Sequence, residues 1–145
     1  MKLKKFTLFT LLLSICLCVV GQASDSTLTP LLGNPLRKQV LDALRSEVKR
    51  IHEVDVIFDV RYLKVKDGWA WVHTRPQSQN GANRYEDVSA LLRLQDGVWK
   101  VVEIPCTEEE NPECLNGPAY FETLQERYPT VAVEVFPYWA RGNKD

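Results

Sequence analysis

The hydrophobic residues of this chain first follow a helical period and then a strand period. From residue 35 to 51, apolar side chains recur every three or four positions, as in a helix with one buried face. These side chains belong to Leu36, Val40, Leu44, Val48 and Ile51. Before them stand Asn34, which can accept hydrogen bonds from free amides, and Pro35, which sacrifices no bond at a first helical position. The pattern predicts an amphipathic helix over residues 35–51.

Alternating apolar and polar residues after this helix predict a β-hairpin. The run from 54 to 66 ends at Asp67-Gly68, a pair that favours a type I′ turn, and residues 69–74 form the returning strand. A two-residue turn fixes the register of the two strands, so that Tyr62 pairs with His73. The two faces of the hairpin can therefore be assigned from the sequence.

The buried side of the first strand changes along its length. Near the turn the apolar face contains Leu63 and Val65, whereas farther away it contains Phe58 and Val60, which have the opposite parity. Since strand side chains alternate with period two, this change requires a β-bulge, a sharp bend, or cover on both faces of the sheet. We predict a bulge or strong coiling between residues 60 and 63.

The remaining pattern predicts a second hairpin, a short helix and a last strand. A polar loop at 75–86 precedes a hairpin whose strands, 88–94 and 98–104, are joined by another Asp-Gly turn. Pro118 opens a short helix, and alternation over 131–136 predicts a strand at a sheet edge. The chain is thus predicted to be an α+β protein, with an N-terminal helix packed on a bent antiparallel sheet of about four strands.

The first 23 residues have the three parts of a secretory signal peptide: a start with three lysines, an apolar run of 15 residues, and the ending Gly21-Gln22-Ala23. Because a membrane-spanning helix takes roughly 20 apolar residues, we expect cleavage and no stable membrane anchor. The mature protein is then extracytoplasmic, either periplasmic or secreted. The predicted organisation is a signal peptide at 1–23, a flexible leader at 24–33, one α+β domain at 34–137 and a tail at 138–145.

Charge and cysteine content narrow the function of the mature chain. Loss of the three signal-peptide lysines leaves 15 basic residues against 19 acidic ones, a net charge of −4, which argues against nucleic-acid binding. Cys16 and Cys18 leave with the signal peptide, so Cys106 and Cys114 remain in an oxidising compartment and are predicted to form a disulfide. Seven residues, four of them Glu, separate these thiols, which disfavours a redox role.

The sequence shows no arrangement typical of catalysis or metal binding. The histidines are His52 and His73, so a three-histidine zinc site cannot be built, and we predict no catalytic residue, no metal site and no cofactor. The disulfide loop contains four carboxylates that could offer oxygen ligands to calcium, although an ordinary solvated acidic loop is favoured. These carboxylates are Glu108, Glu109, Glu110 and Glu113.

The first hairpin carries an aromatic face, which is the main candidate for a pocket or binding surface. Strand alternation and the hairpin register place four side chains on it. They are Tyr62, Trp69, Trp71 and His73. Such a face could line a ligand pocket. The favoured alternative is a half-solvated sheet face on which the stems of Lys64 and Lys66 cover the tryptophans.

The order of helix, hairpin, long loop and hairpin resembles small exported cystatin-like and NTF2-like domains. The segments that carry the resemblance are Asp67-Gly68-Trp69-Ala70-Trp71-Val72 and Asp96-Gly97-Val98-Trp99-Lys100-Val101-Val102. The resemblance covers roughly residues 34–104 and implies a helix packed across a bent sheet. NTF2-like enzymes use acids and histidines inside the cone of the sheet, where only Asp59, Tyr62 and His73 are candidates here, and no catalytic role is transferred. The Gln-x-Val-x-Gly loop of inhibitory cystatins is missing from the first hairpin.

Three functional hypotheses follow. The first is a non-enzymatic binding or interaction domain of the bacterial cell envelope, with a protein, glycan or small ligand as partner. The second is a small-molecule pocket, with or without catalysis, lined by the aromatic face. The third is an inhibitor or immunity protein of an envelope hydrolase that uses the acidic disulfide loop or the loop at 75–86. A deep cavity at the aromatic face favours the second hypothesis, and a filled core there favours the first.

Overall fold

The computed structural model describes residues 28–106, 114 and 117–141, so the predicted signal peptide at 1–23 lies outside the described residues. The four strands form one antiparallel sheet in sequence order, with a helix before it and a helix after it. The predicted α+β fold is confirmed. The elements are α1 (Pro35–His52), β1 (Ile57–Lys66), β2 (Trp69–Gln77), β3 (Val88–Gln95), β4 (Val98–Glu103), α2 (Pro118–Arg127) and two short 3₁₀ helices (Val133–Val135 and Tyr138–Ala140).

Helix α1 begins and ends at residues suited to those positions. Asn34 Oδ1 accepts a hydrogen bond from the Leu36 amide at 2.8 Å, and Pro35 is the first helical residue. At the other end Glu53 adopts a left-handed conformation with φ of 59°, and its amide donates to the Lys49 carbonyl. The predicted boundaries of this helix are therefore confirmed to within one residue.

Both hairpins turn through Asp-Gly pairs. Asp67 and Gly68 have φ of 49° and 74°, and the second pair has φ of 50° and 77°, as a type I′ turn requires. The predicted pairing of Tyr62 with His73 is confirmed. The register shifts between Val60 and Tyr62, which confirms the predicted bulge.

The sheet is covered on both faces. Helix α1 packs on one face, where its buried side chains meet Leu63, Val65, Ala70 and Val72. On the other face, α2 and the chain after it cover Trp69, Trp71 and Leu91. Trp71 is only 1% exposed. The expectation of a half-solvated face with lysine stems over the tryptophans is therefore wrong, because the C-terminal segment supplies a second hydrophobic layer.

The chain after α2 does not form the predicted edge strand. Residues 133–135 are a 3₁₀ helix, and the consecutive residues Val135 and Phe136 are both fully buried, whereas an edge strand with one face in solvent would expose one of the two. The domain also continues beyond the predicted end at 137. Ala140 is buried, and Arg141 Nη2 donates to the Glu134 carbonyl at 2.9 Å, so residues 138–141 belong to the fold.

Two further contacts fix segments outside the helices and strands. Leu28 and Val65 exchange backbone hydrogen bonds of 2.7 and 2.8 Å, so the described part of the predicted flexible leader is tied to the edge of β1. Cys106 and Cys114 are joined in the predicted disulfide.

In the described part of the chain, neither helix has the length and apolar character needed to cross a membrane.

Candidate functional site

A cavity of about 320 Å³ lies on the face of the sheet away from α1, and we call it the aromatic cavity. Its lining comes from β1, β2, the start of β3, α2 and the C-terminal segment, and combines four aromatic rings with polar side chains. The lining residues are Arg61, Tyr62, Trp71, His73, Asp87, Ser89, Phe121, Pro137 and Trp139. Three of the four predicted aromatic-face residues are thus brought to one cavity.

Trp69 is the predicted site residue that the fold keeps away from this cavity. Its ring centroid lies 5.7 Å from that of Tyr128, and the Arg93 guanidinium lies 5.1 Å from its ring centroid. Trp69 is therefore part of the second hydrophobic layer. The aromatic face is filled at the end near the hairpin turn and open at the end near His73.

The bulge in β1 brings two consecutive residues to the aromatic cavity. Arg61 is the extra residue in β1, and both Arg61 and Tyr62 line the cavity. The Tyr62 hydroxyl donates to the Val135 carbonyl at 3.0 Å, and burial raises the pKa of this phenol, so it remains neutral. Arg61 forms an exposed ion pair with Asp59 at 2.7 Å.

A row of side chains across three strands forms the polar side of the aromatic cavity. Tyr62, His73 and Ser89 are successive cross-strand partners on β1, β2 and β3. His73 Nδ1 lies 3.0 Å from Ser89 Oγ, and His73 Nε2 lies 3.3 Å from Asp87 Oδ2. The other oxygen of Asp87 accepts from Arg75 Nε at 3.2 Å. The imidazole is thus held between a hydroxyl and a carboxylate.

The aromatic wall of the cavity ends in an exposed ring. Trp71 packs edge-on against Phe121 with centroids 5.1 Å apart, and Phe121 packs in the same manner against Trp139 at 5.4 Å. Trp139 is nevertheless 58% exposed. Trp71 is therefore a structural side chain, whereas Trp139 stands at the rim with its ring available to a ligand.

A second cavity of about 330 Å³ lies on the opposite side of the sheet, beside the C-terminal end of α1. It is lined mainly by apolar side chains, with His52 and Glu86 among the polar ones. The resemblance to NTF2-like enzymes implies a site inside the cone of the sheet, with Asp59, Tyr62 and His73 as the candidate residues. However, Asp59, Tyr62 and His73 do not line this second cavity, and the last two line the aromatic cavity instead.

Six residues of the aromatic cavity were not identified as site residues from the sequence: Arg61, Asp87, Ser89, Phe121, Pro137 and Trp139. Residues 87 and 89 are two positions apart, and side chains two positions apart in a strand lie on the same face of a sheet. The sequence could therefore have placed these two residues together. Their meeting with His73 depends on the pairing of β2 with β3, and a loop of ten residues separates these strands. Such a loop does not fix a register as a two-residue turn does.

The other predicted surfaces contribute less to a site. The four carboxylates of the acidic disulfide loop lie outside the described residues. In the loop after β2, Ser78 and Asn83 hydrogen-bond to each other through their backbones at 2.9 Å. Among residues 28–106, 114 and 117–141, no group of three or more His, Cys, Asp or Glu side chains could hold a metal ion.

Comparison of the chain with protein-family models, curated proteins and solved structures gives no match. The geometry of the aromatic cavity and the sequence features of export are therefore the observations that bear on function.

Proposed function

We propose that the mature chain is an exported binding domain whose aromatic cavity holds a small, ring-shaped, hydroxyl-rich ligand, such as a sugar residue of the bacterial cell envelope. The signal-peptide pattern of the first 23 residues supports export. The Cys106–Cys114 disulfide supports maturation in an oxidising compartment. This proposal develops the second sequence hypothesis, because a cavity is present at three of the four predicted residues.

The observation that carries the proposal is an exposed aromatic ring beside hydrogen-bonding groups in one concave site. A sugar ring presents C–H groups on its faces and hydroxyl groups around its edge. Trp139 can pack against such a face, while Asp87 can accept hydrogen bonds from hydroxyl groups and Arg61 can donate to them. Asp87 and Arg61 are only partly buried, so they can contact a ligand without large rearrangement.

The size of the aromatic cavity limits the ligand. Ligand cavities commonly measure about 300–1,000 Å³. At about 320 Å³ the aromatic cavity is at the small end of this range, so a single ring with its substituents is the unit that it would enclose. A longer glycan would extend past Trp139 into solvent.

The test is a titration of the purified mature domain with N-acetylglucosamine and its β-1,4-linked disaccharide, followed by tryptophan fluorescence and calorimetry. We expect saturable binding that Trp139→Ala weakens by about tenfold or more, equivalent to about 1.4 kcal/mol. The matched control is Tyr138→Ala, because Tyr138 is 84% exposed and does not line the aromatic cavity. Equal affinities in the Trp139→Ala variant and the wild type would contradict the proposed site.

Trp71→Ala is unsuitable as a probe of ligand binding. Its indole ring is buried against Phe121 and Phe136, and removal of a buried Trp costs about 3–5 kcal/mol. A loss of binding in that variant would therefore report unfolding of the second hydrophobic layer.

A further inference from the structure

We propose that Ser89 is a nucleophile for acyl transfer, with His73 as its base and Asp87 as the residue that positions the base. The substrate class would be a carboxylic ester of a small ring-shaped alcohol, such as an O-acylated sugar. This inference rests on the proposed function, because the same aromatic cavity must admit the alcohol part of the ester.

The geometry of the three groups carries this inference. Serine hydroxyls become nucleophilic when a base lies within hydrogen-bonding reach and a third group orients that base. Here the Ser89 Oγ to His73 Nδ1 distance is 3.0 Å, and the His73 Nε2 to Asp87 Oδ2 distance is 3.3 Å. The tautomer with its proton on Nε2 would donate to Asp87 and leave Nδ1 free to accept the serine proton.

The sheet holds these groups in place. Ser89 and His73 are cross-strand partners on β3 and β2, and Asp87 directly precedes β3. Arg75, on the same strand as His73, donates to the second oxygen of Asp87. The base and its orienting carboxylate are therefore supported by neighbouring strands, the kind of fixed positioning on which catalysis depends.

Ser89 is 6% exposed, but it lines the aromatic cavity, so an ester in the cavity can reach its hydroxyl. Arg61 is the permanent cation among the nine residues that line this cavity. A cation beside the reacting carbonyl would offset the negative charge that develops on its oxygen. The bulge that brings Arg61 to the cavity would then have a role in the reaction.

The proposed reaction is balanced without any further reagent. Ser89 Oγ forms a bond to the ester carbonyl carbon while its proton passes to His73 Nδ1. The bond from that carbon to the alcohol oxygen then breaks, and the alcohol leaves with the proton from His73. A water molecule next gives a proton to His73 Nδ1 and attacks the acyl-serine, which releases the carboxylic acid and returns the proton to Ser89 Oγ.

The first test is covalent labelling of the mature domain with phenylmethylsulfonyl fluoride, followed by intact-mass and peptide mass spectrometry. We expect one adduct, located at Ser89, and slow hydrolysis of p-nitrophenyl acetate by the unlabelled protein. Ser89→Ala should abolish both the labelling and the hydrolysis, and His73→Gln should slow each of them by about 10²-fold or more. Ser46→Ala is the matched control, because Ser46 is an exposed serine on α1, and it should leave both unchanged.

The second test addresses Asp87 as a positioning residue. Asp87→Asn should slow labelling by about tenfold or more, while Asp87→Glu should restore part of the rate, since only the second keeps a carboxylate beside His73. If Asp87 had only a structural role, its variants would lower the unfolding midpoint, and Asp87→Glu would not restore the labelling rate. Unfolding midpoints are measured for every variant, so that a misfolded protein is not counted as an inactive one.

The outcomes separate this inference from the proposed function. If saccharides bind through Trp139 but Ser89 takes no label, the nucleophile proposal is overturned and the binding proposal stands. If Ser89 is labelled through His73 but no saccharide binds, the reaction proposal stands with a different alcohol, and the proposed ligand class is wrong. Labelling that is unchanged in His73→Gln would also overturn the inference.

Discussion

Arg61 and Tyr62 are adjacent in the chain, yet both line the aromatic cavity, because the bulge in β1 falls between Val60 and Tyr62. In a regular strand, neighbouring side chains point to opposite faces of the sheet. On either side of the bulge the register is regular, with Val60 opposite Thr74 and Tyr62 opposite His73. Arg61 is thus the extra residue of the bulge and has no opposite residue on β2.

This relationship predicts that deletion of Arg61 is tolerated. Without it, Val60 and Tyr62 become neighbours that already face opposite sides, so the hydrophobic pattern stays in register, and we expect a loss of less than about 2 kcal/mol in urea denaturation. Deletion of Lys64 should instead prevent stable folding, because it forces Leu63 or Val65 out of the helix-side core. Equal stability of the two deletion variants would contradict this account of the bulge.

Glu103 is predicted to be the main polar link between the sheet and α2. Both of its carboxylate oxygens accept from Arg127 Nη1 at 2.8 Å, and the hydroxyls of Tyr120 and Tyr128 lie at 3.2 and 3.3 Å from it. Burial raises the pKa of both phenols, which therefore remain neutral donors. Glu103→Ala should lower the free energy of unfolding by about 2 kcal/mol.

Hydrogen exchange of the α2 amides should also become faster in Glu103→Ala, since this helix would lose the carboxylate that binds Arg127 and Tyr120. The control is Lys38→Ala, which removes an exposed ion pair with Asp42 and should change stability by less than about 0.5 kcal/mol. Unchanged exchange in α2 would show that the hydrophobic contacts alone hold this helix on the sheet.

Glu134 is predicted to make stability depend on pH. The hydrogen bond from Lys66 lowers the pKa of Glu134 below its ordinary value of 4.5. The lowered pKa means that the folded state favours the charged form of Glu134. The contribution of this carboxylate to the free energy of unfolding is therefore full above pH 4.5 and is lost as the pH falls through the lowered pKa. The contribution is small, because the Glu134 side chain is 43% exposed and solvent screens the pair.

The measurement is thermal unfolding of the wild type and Glu134→Gln at neutral and at acidic pH. The wild type should be the more stable at neutral pH, and the difference should shrink in acid, where Glu134 is protonated in both folded and unfolded states. Glu122→Gln, at an exposed position on α2, serves as the control. A difference that grows toward low pH would contradict the stabilising role of the ionised Glu134 carboxylate.

The disulfide is predicted to be a local staple. Cys106 and Cys114 are eight residues apart, and the closure of so short a loop contributes about 2.5 kcal/mol in the chain-entropy model. The Cys106→Ser, Cys114→Ser double variant should thus stay folded and unfold at lower urea concentration. Thiol counting on the exported wild type should find neither of these cysteines free, and free thiols there would contradict the proposed export and maturation.

The elements with local determinants were predicted well from the sequence. Asn34 and Pro35 mark the start of α1, and the two Asp-Gly pairs fix both turns and the pairing next to each of them. The register shift between Leu91 and Leu92 in the second hairpin was not predicted. The parity change between Val60 and Leu63 predicted a bulge or strong coiling there, and the structure has a bulge between Val60 and Tyr62. Each of these features depends on residues close together in the chain, and local stereochemistry therefore determines them.

Only the tertiary structure decided which faces are buried and which residues meet. The sequence did not reveal that the C-terminal segment crosses the aromatic face. The alternation over 131–136 predicts an edge strand, whereas the segment forms a 3₁₀ helix and buries the consecutive residues Val135 and Phe136. The meeting of His73 with Ser89 and Asp87 was also not predicted, since it depends on strand pairing across a loop of ten residues. Contacts between distant segments are chosen by packing of the whole chain, and no short pattern specifies them.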